Sequence, residues 1–307
     1  MPATRADLLQ PTDLAALGSV ELTTRWVVEG FLAGLHRSPR KGFSVEFAEH
    51  RPYQPGDDLR YLDWRILARA NRLVIKQYEE ETNARAAVVL DVSASMQWRG
   101  DPGRLTKLDY ATRMAAASAH LLLRQRDAVA LVRVGADIVD VLPPRSNRTQ
   151  MTRIVNALAS PLPATSPSAG GTPSNLALGL ARAAGLAGRA GFVLLISDLL
   201  VEPDALLQQV SGLRALGHDV IVLHVLDPAE RDFVADGDGI FVDPESSATV
   251  SASAREVREE YQAVVARAIV DWKTGCARRG ARYAMTMTDE PFGSPLRRVF
   301  LSTRGPL

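Results

Sequence analysis

Residues 86–96 read AAVVLDVSASM, an uninterrupted apolar run that ends on an aspartate and two serines. An apolar run without polar alternation is typical of a strand that is buried on both faces of a sheet. Two further runs of this kind, at residues 192–196 and 220–226, follow later in the chain. Helical patterns lie between them, for example over residues 105–123. Strands that alternate with helices predict an α/β fold with a doubly wound, mostly parallel sheet.

One pair of strands departs from this alternation. The strand-like residues 128–134 and 138–142 are separated only by Gly135-Ala136-Asp137. A connection this short joins antiparallel strands, because a parallel pair needs a crossover of a dozen or more residues. We therefore expect one antiparallel strand at an edge of the sheet.

The first 84 residues differ in character from the rest of the chain. A helical pattern over residues 13–35 is followed by short strand-like segments and turns, with few strong apolar stretches. We therefore expect residues 1–84 to be an N-terminal α+β extension that packs on a sheet domain of residues 85–290. Residues 291–307 are expected to form a C-terminal tail.

Composition excludes several classes of protein. The chain has 307 residues, 46% of them hydrophobic and 23% charged, with a net charge of +1. This balance offers no bulk attraction to nucleic acid or to an anionic membrane. The single cysteine, Cys276, cannot form an internal disulfide, and no apolar stretch is long enough for a transmembrane helix. We therefore expect a cytoplasmic chain with neither a nucleic-acid partner nor a transmembrane segment.

Basic residues are dominated by arginine. Of the 36 basic residues, four are lysine (Lys41, Lys76, Lys107 and Lys273), so the remaining 32 are arginine. Because the chain is also rich in alanine, we interpret this bias as a property of genome composition rather than of phosphate recognition.

Two aspartates occupy equivalent places at the ends of buried strands. Asp91 follows the first buried run, and Asp198 follows the run at residues 192–196. In the strand order 3-2-1-4-5-6, the first and fourth strands are neighbours, and their carboxyl ends border one crevice. Two carboxylates that face each other repel, and a hard cation relieves that repulsion.

Hydroxyl groups surround these carboxylates in the sequence. Ser93 and Ser95 follow Asp91 with the alternation that points both side chains the same way, and Thr172 lies in the loop Gly170-Gly171-Thr172-Pro173. All of these candidate ligands, the two carboxylates and the three hydroxyl groups, offer oxygen atoms, and none offers an imidazole or a thiolate. Such a set suits Mg²⁺, Mn²⁺ or Ca²⁺ and disfavours Zn²⁺.

The same residues resemble the metal-ion-dependent adhesion site of the von Willebrand factor A domain. The resemblance covers roughly residues 85–230 and implies a von Willebrand factor A-like fold. It also implies that one coordination position is left open for a carboxylate, Asp or Glu, of a partner protein. The ligands that it implies are Asp91, Ser93, Ser95, Thr172 and Asp198.

A second resemblance extends over most of the chain. Residues 51–65 read RPYQPGDDLRYLDWR, which is similar to the signature of the bacterial family catalogued as domain of unknown function 58. Members of that family are commonly encoded beside MoxR-type AAA+ ATPases, so the resemblance implies such an ATPase as a partner. Many members begin with two transmembrane helices, and this sequence departs from that pattern.

Structural interpretations of the same residues remain open. Asp91 and its serines could satisfy backbone groups at the end of a strand, and Thr172-Pro173 could begin a helix, with Thr172 as its N-cap. Residues 51–65 could bind a carboxylate or phosphate through arginine, or pack through aromatic side chains. Cys276 and His224 lie in apolar surroundings and are expected to be buried core residues.

Enzyme motifs are missing from the sequence. The chain contains no nucleotide-binding Gly-x-x-x-x-Gly-Lys-Ser/Thr loop, no His-Glu-x-x-His and no Gly-x-Ser-x-Gly. We therefore expect a non-catalytic, metal-dependent interaction module that works with a MoxR-type ATPase in the assembly or maturation of a protein complex. The alternatives are a metal-dependent phosphoester hydrolase and a metal-free structural scaffold.

Overall fold

The computed structural model describes residues 44–54, 62–81, 84–162, 174–243 and 248–301. The chain divides into two compact units, a small one within residues 39–84 and a larger one that contains the described residues from Arg85 onward. The predicted helix over residues 13–35 and the predicted ligand Thr172 lie outside the described residues. The packing of residues 1–84 on the sheet domain stays a prediction.

The small unit contains a strand pair and a helix. Strands β1 (Ser44–Pro52) and β2 (Val74–Glu81) pair antiparallel, and helix α1 (Trp64–Ala70) lies between them in the sequence. The Asp63 carboxylate accepts a hydrogen bond from the Ile66 backbone amide at 3.2 Å. This is N-cap geometry, which explains why the helix begins at Trp64.

The larger unit is built on a six-stranded sheet with the spatial order 3-2-1-4-5-6. All neighbouring pairs are parallel except that of the second and third strands. This order places the first and fourth strands side by side and the antiparallel strand at an edge, which confirms the predicted fold class. The sheet strands are β3 (Arg85–Asp91), β4 (Ala128–Val134), β5 (Ile138–Arg145), β6 (Phe192–Ser197) and β7 (Asp219–Leu226), with Arg282–Met287 as the sixth.

Helices cover both faces of this sheet. Val88 and Leu90 of β3 lie in one buried cluster, and Ala87 and Val89 lie in the other, so β3 is buried on both sides. This explains its uninterrupted apolar sequence. The helices are α2 (Lys107–Arg124), α3 (Thr149–Ala159), α4 (Leu176–Ala187), α5 (Pro203–Ala215), α6 (Pro228–Asp232), α7 (Ala254–Arg278) and α8 (Gly293–Leu301). Helices α2, α3 and α8 cover one face, and α4, α5 and α7 cover the other.

Two elements differ from the sequence expectations. Strands β8 (Asp238–Val242) and β9 (Thr249–Ser253) form a separate antiparallel pair, whereas the sequence pattern predicts only one short strand here, over residues 240–242. The sixth sheet strand, Arg282–Met287, is therefore β10. Helix α8 falls where we expected a tail, and its Leu296 and Val299 are fully buried. Phe292 stacks on Tyr110 with ring centroids 4.6 Å apart, so residues 292–299 complete the core.

Helix α4 approaches the sheet closely at Gly179. A Cβ atom at this position would lie 2.8 Å from Val134 Cγ1, which is closer than side-chain atoms normally approach. The helix begins at Leu176, and its N-cap is Asn175, whose side chain accepts a hydrogen bond from the Leu178 amide at 3.1 Å. The N-cap role that we considered for Thr172 therefore belongs to Asn175. None of the described helices combines the length and hydropathy needed to cross a bilayer.

Candidate functional site

Asp91 lies at the carboxyl end of β3, in the middle of the sheet. Its side chain is almost completely buried. Oδ1 accepts hydrogen bonds from the Ser93 amide at 3.0 Å and the Ser174 hydroxyl at 3.1 Å. Oδ2 accepts one from the Ser197 hydroxyl at 2.6 Å. The carboxylate is thus held by donors from three segments: the loop after β3, the residues before α4, and the end of β6.

Ser93 and Ser95 lie beside this carboxylate, as the sequence predicts. Both residues are buried, and their hydroxyl oxygens are 3.1 Å apart. The loop after β3 contains a short 3₁₀ helix at Ser95–Gln97. Two hydroxyl oxygens of this loop therefore lie close together near Asp91.

Asp198 follows β6 and is also buried. Its Oδ1 accepts a hydrogen bond from the Leu200 amide at 3.3 Å, and its Oδ2 accepts one from the Lys107 ammonium at 2.8 Å. Leu199, the residue between Asp198 and Leu200, has a φ of 57°. This is the left-handed region, which residues other than glycine rarely adopt. The Leu199 amide donates to the Ser197 hydroxyl at 2.9 Å, so one hydroxyl joins this turn to Asp91.

Two charged residues of the site were missed by the sequence analysis. Lys107, at the first position of α2, is fully buried, and its Nζ contacts Asp198 Oδ2 at 2.8 Å and Glu230 Oε1 at 2.5 Å. Glu230 belongs to α6, where it also forms a capping box with Asp227. The rarity of lysine in this arginine-rich chain is the one sequence signal that could have drawn attention to Lys107.

Burial controls the electrostatics of the carboxylates. Burial, and secondarily the charge of Asp198, raise the pKa of Asp91 to about 6, against hydrogen bonds from Ser197 and Ser93 that lower it. Burial also raises the pKa of Glu230, although Lys107 opposes this. The pKa of Lys107 is raised because the attraction of Asp198 and Glu230 outweighs the opposing effect of burial.

His224 lies on β7, opposite Ser197 in the strand register. It is buried, as expected, and its Nδ1 is 2.7 Å from the Tyr283 hydroxyl. Its Nε2 finds no hydrogen-bond partner among the described residues. Burial lowers the pKa of His224 to about 4, so the ring is neutral at neutral pH.

The structure therefore brings together four of the five predicted ligands. Asp91, Ser93 and Ser95 form one group, and Asp198 joins it through its neighbour Ser197. Within the described part of the chain, no three His, Cys, Asp or Glu side chains converge as a metal site. The donors around Asp91 are instead hydroxyl oxygens, which suit a hard cation and do not suit a softer transition metal.

Comparison with known proteins identifies the family. A family profile described as "Protein of unknown function DUF58" matches residues 49–288. The chain belongs to the DUF58 family. An uncharacterised protein of Mycobacterium bovis is 31% identical to this DUF58 chain over 246 residues, which cover 79% of this chain and 74% of the relative. A Mycobacterium tuberculosis protein matches with the same values.

Several solved structures are similar at low identity. An aerotolerance-related membrane protein from Bacteroides fragilis has a TM-score of 0.47 at 16% identity, covering 70% of this chain and 96% of that one. The BatB protein from Bacteroides thetaiotaomicron has a TM-score of 0.42 at 15% identity, covering 71% and 100%. The VWA domain of SpRpn10 has a TM-score of 0.40 at 8% identity, covering 73% and 100%. The von Willebrand factor A-like fold of this DUF58 chain rests on its own strand order.

Proposed function

We propose that this DUF58 chain is a non-catalytic interaction module that binds a partner protein through a divalent cation. Mg²⁺ is the expected cation, with Mn²⁺ or Ca²⁺ as alternatives. The cation would supply positive charge that a carboxylate of the partner can bind. The residues that would hold it are Asp91, Ser93, Ser95, Thr172 and Asp198.

The observation that carries this proposal is the burial of the Asp91 carboxylate. Its carboxylate is buried among hydroxyl and amide donors, and burial raises its pKa to about 6. An ionised carboxylate is costly to bury without an opposite charge. A cation bound beside Asp91, Ser93 and Ser95 would remove that cost, which supports a metal at this edge of the sheet.

Thermal unfolding in the presence and absence of metal tests the cation. In EDTA and then in millimolar Mg²⁺, Mn²⁺ or Ca²⁺, we expect the wild type to gain roughly 2.7 kcal/mol at about 100 times the Kd. D91N should lose this gain. D204N, which changes an exposed carboxylate at the start of α5, should keep it. A gain that D91N retains, or no gain in the wild type, would overturn the metal site.

Affinity capture tests the partner. The expected partners are a MoxR-type ATPase and a client protein whose Asp or Glu completes the metal coordination. We expect the purified ATPase to be retained by the wild-type chain in Mg²⁺ and released by EDTA or by D91N. Equal retention in all conditions would contradict the metal bridge and favour a metal-free scaffold.

A substrate screen tests the non-catalytic role. We expect no turnover of phosphomonoester, phosphodiester or nucleic-acid substrates with any of the three cations. Metal-dependent hydrolysis that D198N abolishes would instead make this chain a hydrolase.

A further inference from the structure

Lys107 is a buried ammonium group at the proposed cation site. Its side chain is fully buried, and its Nζ lies between Asp198 Oδ2 at 2.8 Å and Glu230 Oε1 at 2.5 Å. It joins three segments of the chain: the start of α2, the end of β6, and α6. A buried ammonium of this kind is costly to desolvate and is retained only where carboxylates surround it.

Lys107 and the carboxylates of this site have a net formal charge of −2 when all are ionised. Asp91, Asp198 and Glu230 contribute three negative charges when ionised, and Lys107 contributes one positive charge. Two negative charges remain, which is the charge that one divalent cation neutralises. Lys107 donates to Asp198 Oδ2 at 2.8 Å, whereas Oδ1 accepts a longer hydrogen bond from the Leu200 amide at 3.3 Å.

We propose that Lys107 is a fixed cation of this site that shares Asp198 with the divalent ion and sets the affinity for that ion. This inference rests on the proposed function. The ammonium repels the divalent ion and occupies one oxygen of Asp198, so it keeps the affinity low. Glu230 acts in the opposite direction, because it balances the ammonium. Both residues are positioning residues, and neither is required as a ligand.

The proposal predicts opposite effects for two neutralising substitutions. K107M removes the positive charge and keeps much of the side-chain volume, so the site becomes more negative and should bind Mg²⁺ about tenfold more tightly or better. E230Q removes a negative charge and should weaken Mg²⁺ binding by about tenfold or more. Glutamine at position 230 can still complete the capping box of α6, so the local fold is kept.

The double variant K107M/E230Q is the matched control. It has the same formal charge as the wild type, and its Mg²⁺ affinity should lie within about threefold of the wild-type value because the two charge changes cancel. The full-length proteins would be titrated with Mg²⁺ by isothermal calorimetry, and circular dichroism in EDTA would establish that each variant is folded. If K107M does not fold, E230Q and the double variant still differ only at position 107, and the double variant should bind about tenfold more tightly.

The outcomes separate this inference from the proposed function. Mg²⁺ binding in the wild type that neither K107M nor E230Q changes would overturn the role of Lys107 and leave the metal site intact. Binding by K107M but not by the wild type would support the role of Lys107 and overturn the proposed metal-dependent function. Absence of binding in the wild type and in every variant would overturn both.

Discussion

Two buried side chains at the carboxyl edge of the sheet respond to pH in opposite directions. Burial raises the pKa of Asp91 from 3.8 to about 6, so its protonation stabilises the folded state fully below pH 3.8, and this contribution is lost as the pH rises through 6. Burial lowers the pKa of His224 from 6.5 to about 4. Its contribution is therefore complete above pH 6.5 and is lost as the pH falls towards 4. The two effects largely offset each other between these limits.

We predict that single substitutions reveal the two opposing slopes. Relative to the wild type, the free energy of unfolding of D91N should rise by about 3 kcal/mol more between pH 3.8 and 6, because the opposing Asp91 effect is removed. Relative to the wild type, that of H224Q should fall by about 3 kcal/mol more between pH 4 and 6.5, because the His224 effect is removed. Guanidinium unfolding in EDTA across this range measures both, with the wild type as the flatter reference. Identical slopes in the three proteins would contradict this account.

At the scale of elements, helix α4 depends on one close contact with the sheet. A Cβ at Gly179 would lie 2.8 Å from Val134 Cγ1 and 3.2 Å from Val89 Cγ1, both in the core. We predict that G179A destabilises the chain by about 1–3 kcal/mol, because the core must shift to admit the methyl group. It should also disturb the Ser174 contact with Asp91, which lies just before this helix.

A second glycine in the same helix provides the control for G179A. Gly185 is exposed, and a Cβ there would meet no atom within 4 Å. G185A should therefore stabilise the chain by about 0.5–1 kcal/mol through helix propensity alone. Thermal unfolding of both variants measures the two effects. A destabilisation of the same size in G185A would show that the close contact is not the cause.

The elements that could be predicted are those with a pattern of their own. The central strands, such as β3, are buried on both faces and therefore have uninterrupted apolar sequences. Strand β9, with the sequence TVSAS, is exposed over its first three residues and lacks any such pattern. Phe292 and the helix α8 that follows it were missed because their place in the core depends on residues far away in the chain, such as Tyr110.

At the scale of the whole molecule, distant parts of the chain close the core together. Phe292 stacks on Tyr110, and the Tyr110 hydroxyl donates to the Glu290 carbonyl at 2.8 Å. We predict that F292A lowers the free energy of unfolding by about 3–5 kcal/mol, because it leaves a cavity beside Tyr110. L216A, at a residue that is 66% exposed, should change it by less than about 0.5 kcal/mol. Denaturant unfolding measures both, and a small effect of F292A would contradict the predicted cavity beside Tyr110.

Part of the candidate site could be predicted from local sequence patterns, and part depends on contacts between distant segments. Asp91 and Asp198 could be predicted because each follows a recognisable strand, and the strand order brings those strands together. Lys107 is separated from Asp198 by 91 positions and from Glu230 by 123. Nothing local in the sequence marks such a contact, since it arises only when α2, β6 and α6 are packed.

The identity of Lys107 has a consequence for how this chain tolerates mutation. Arginine is by far the commoner basic residue in this chain, which contains only four lysines. At position 107, arginine would introduce a broad planar group with five donors where a compact ammonium now fits between two carboxylates. Replacement of Lys107 by the commoner basic residue would therefore keep the charge but fit this buried position poorly.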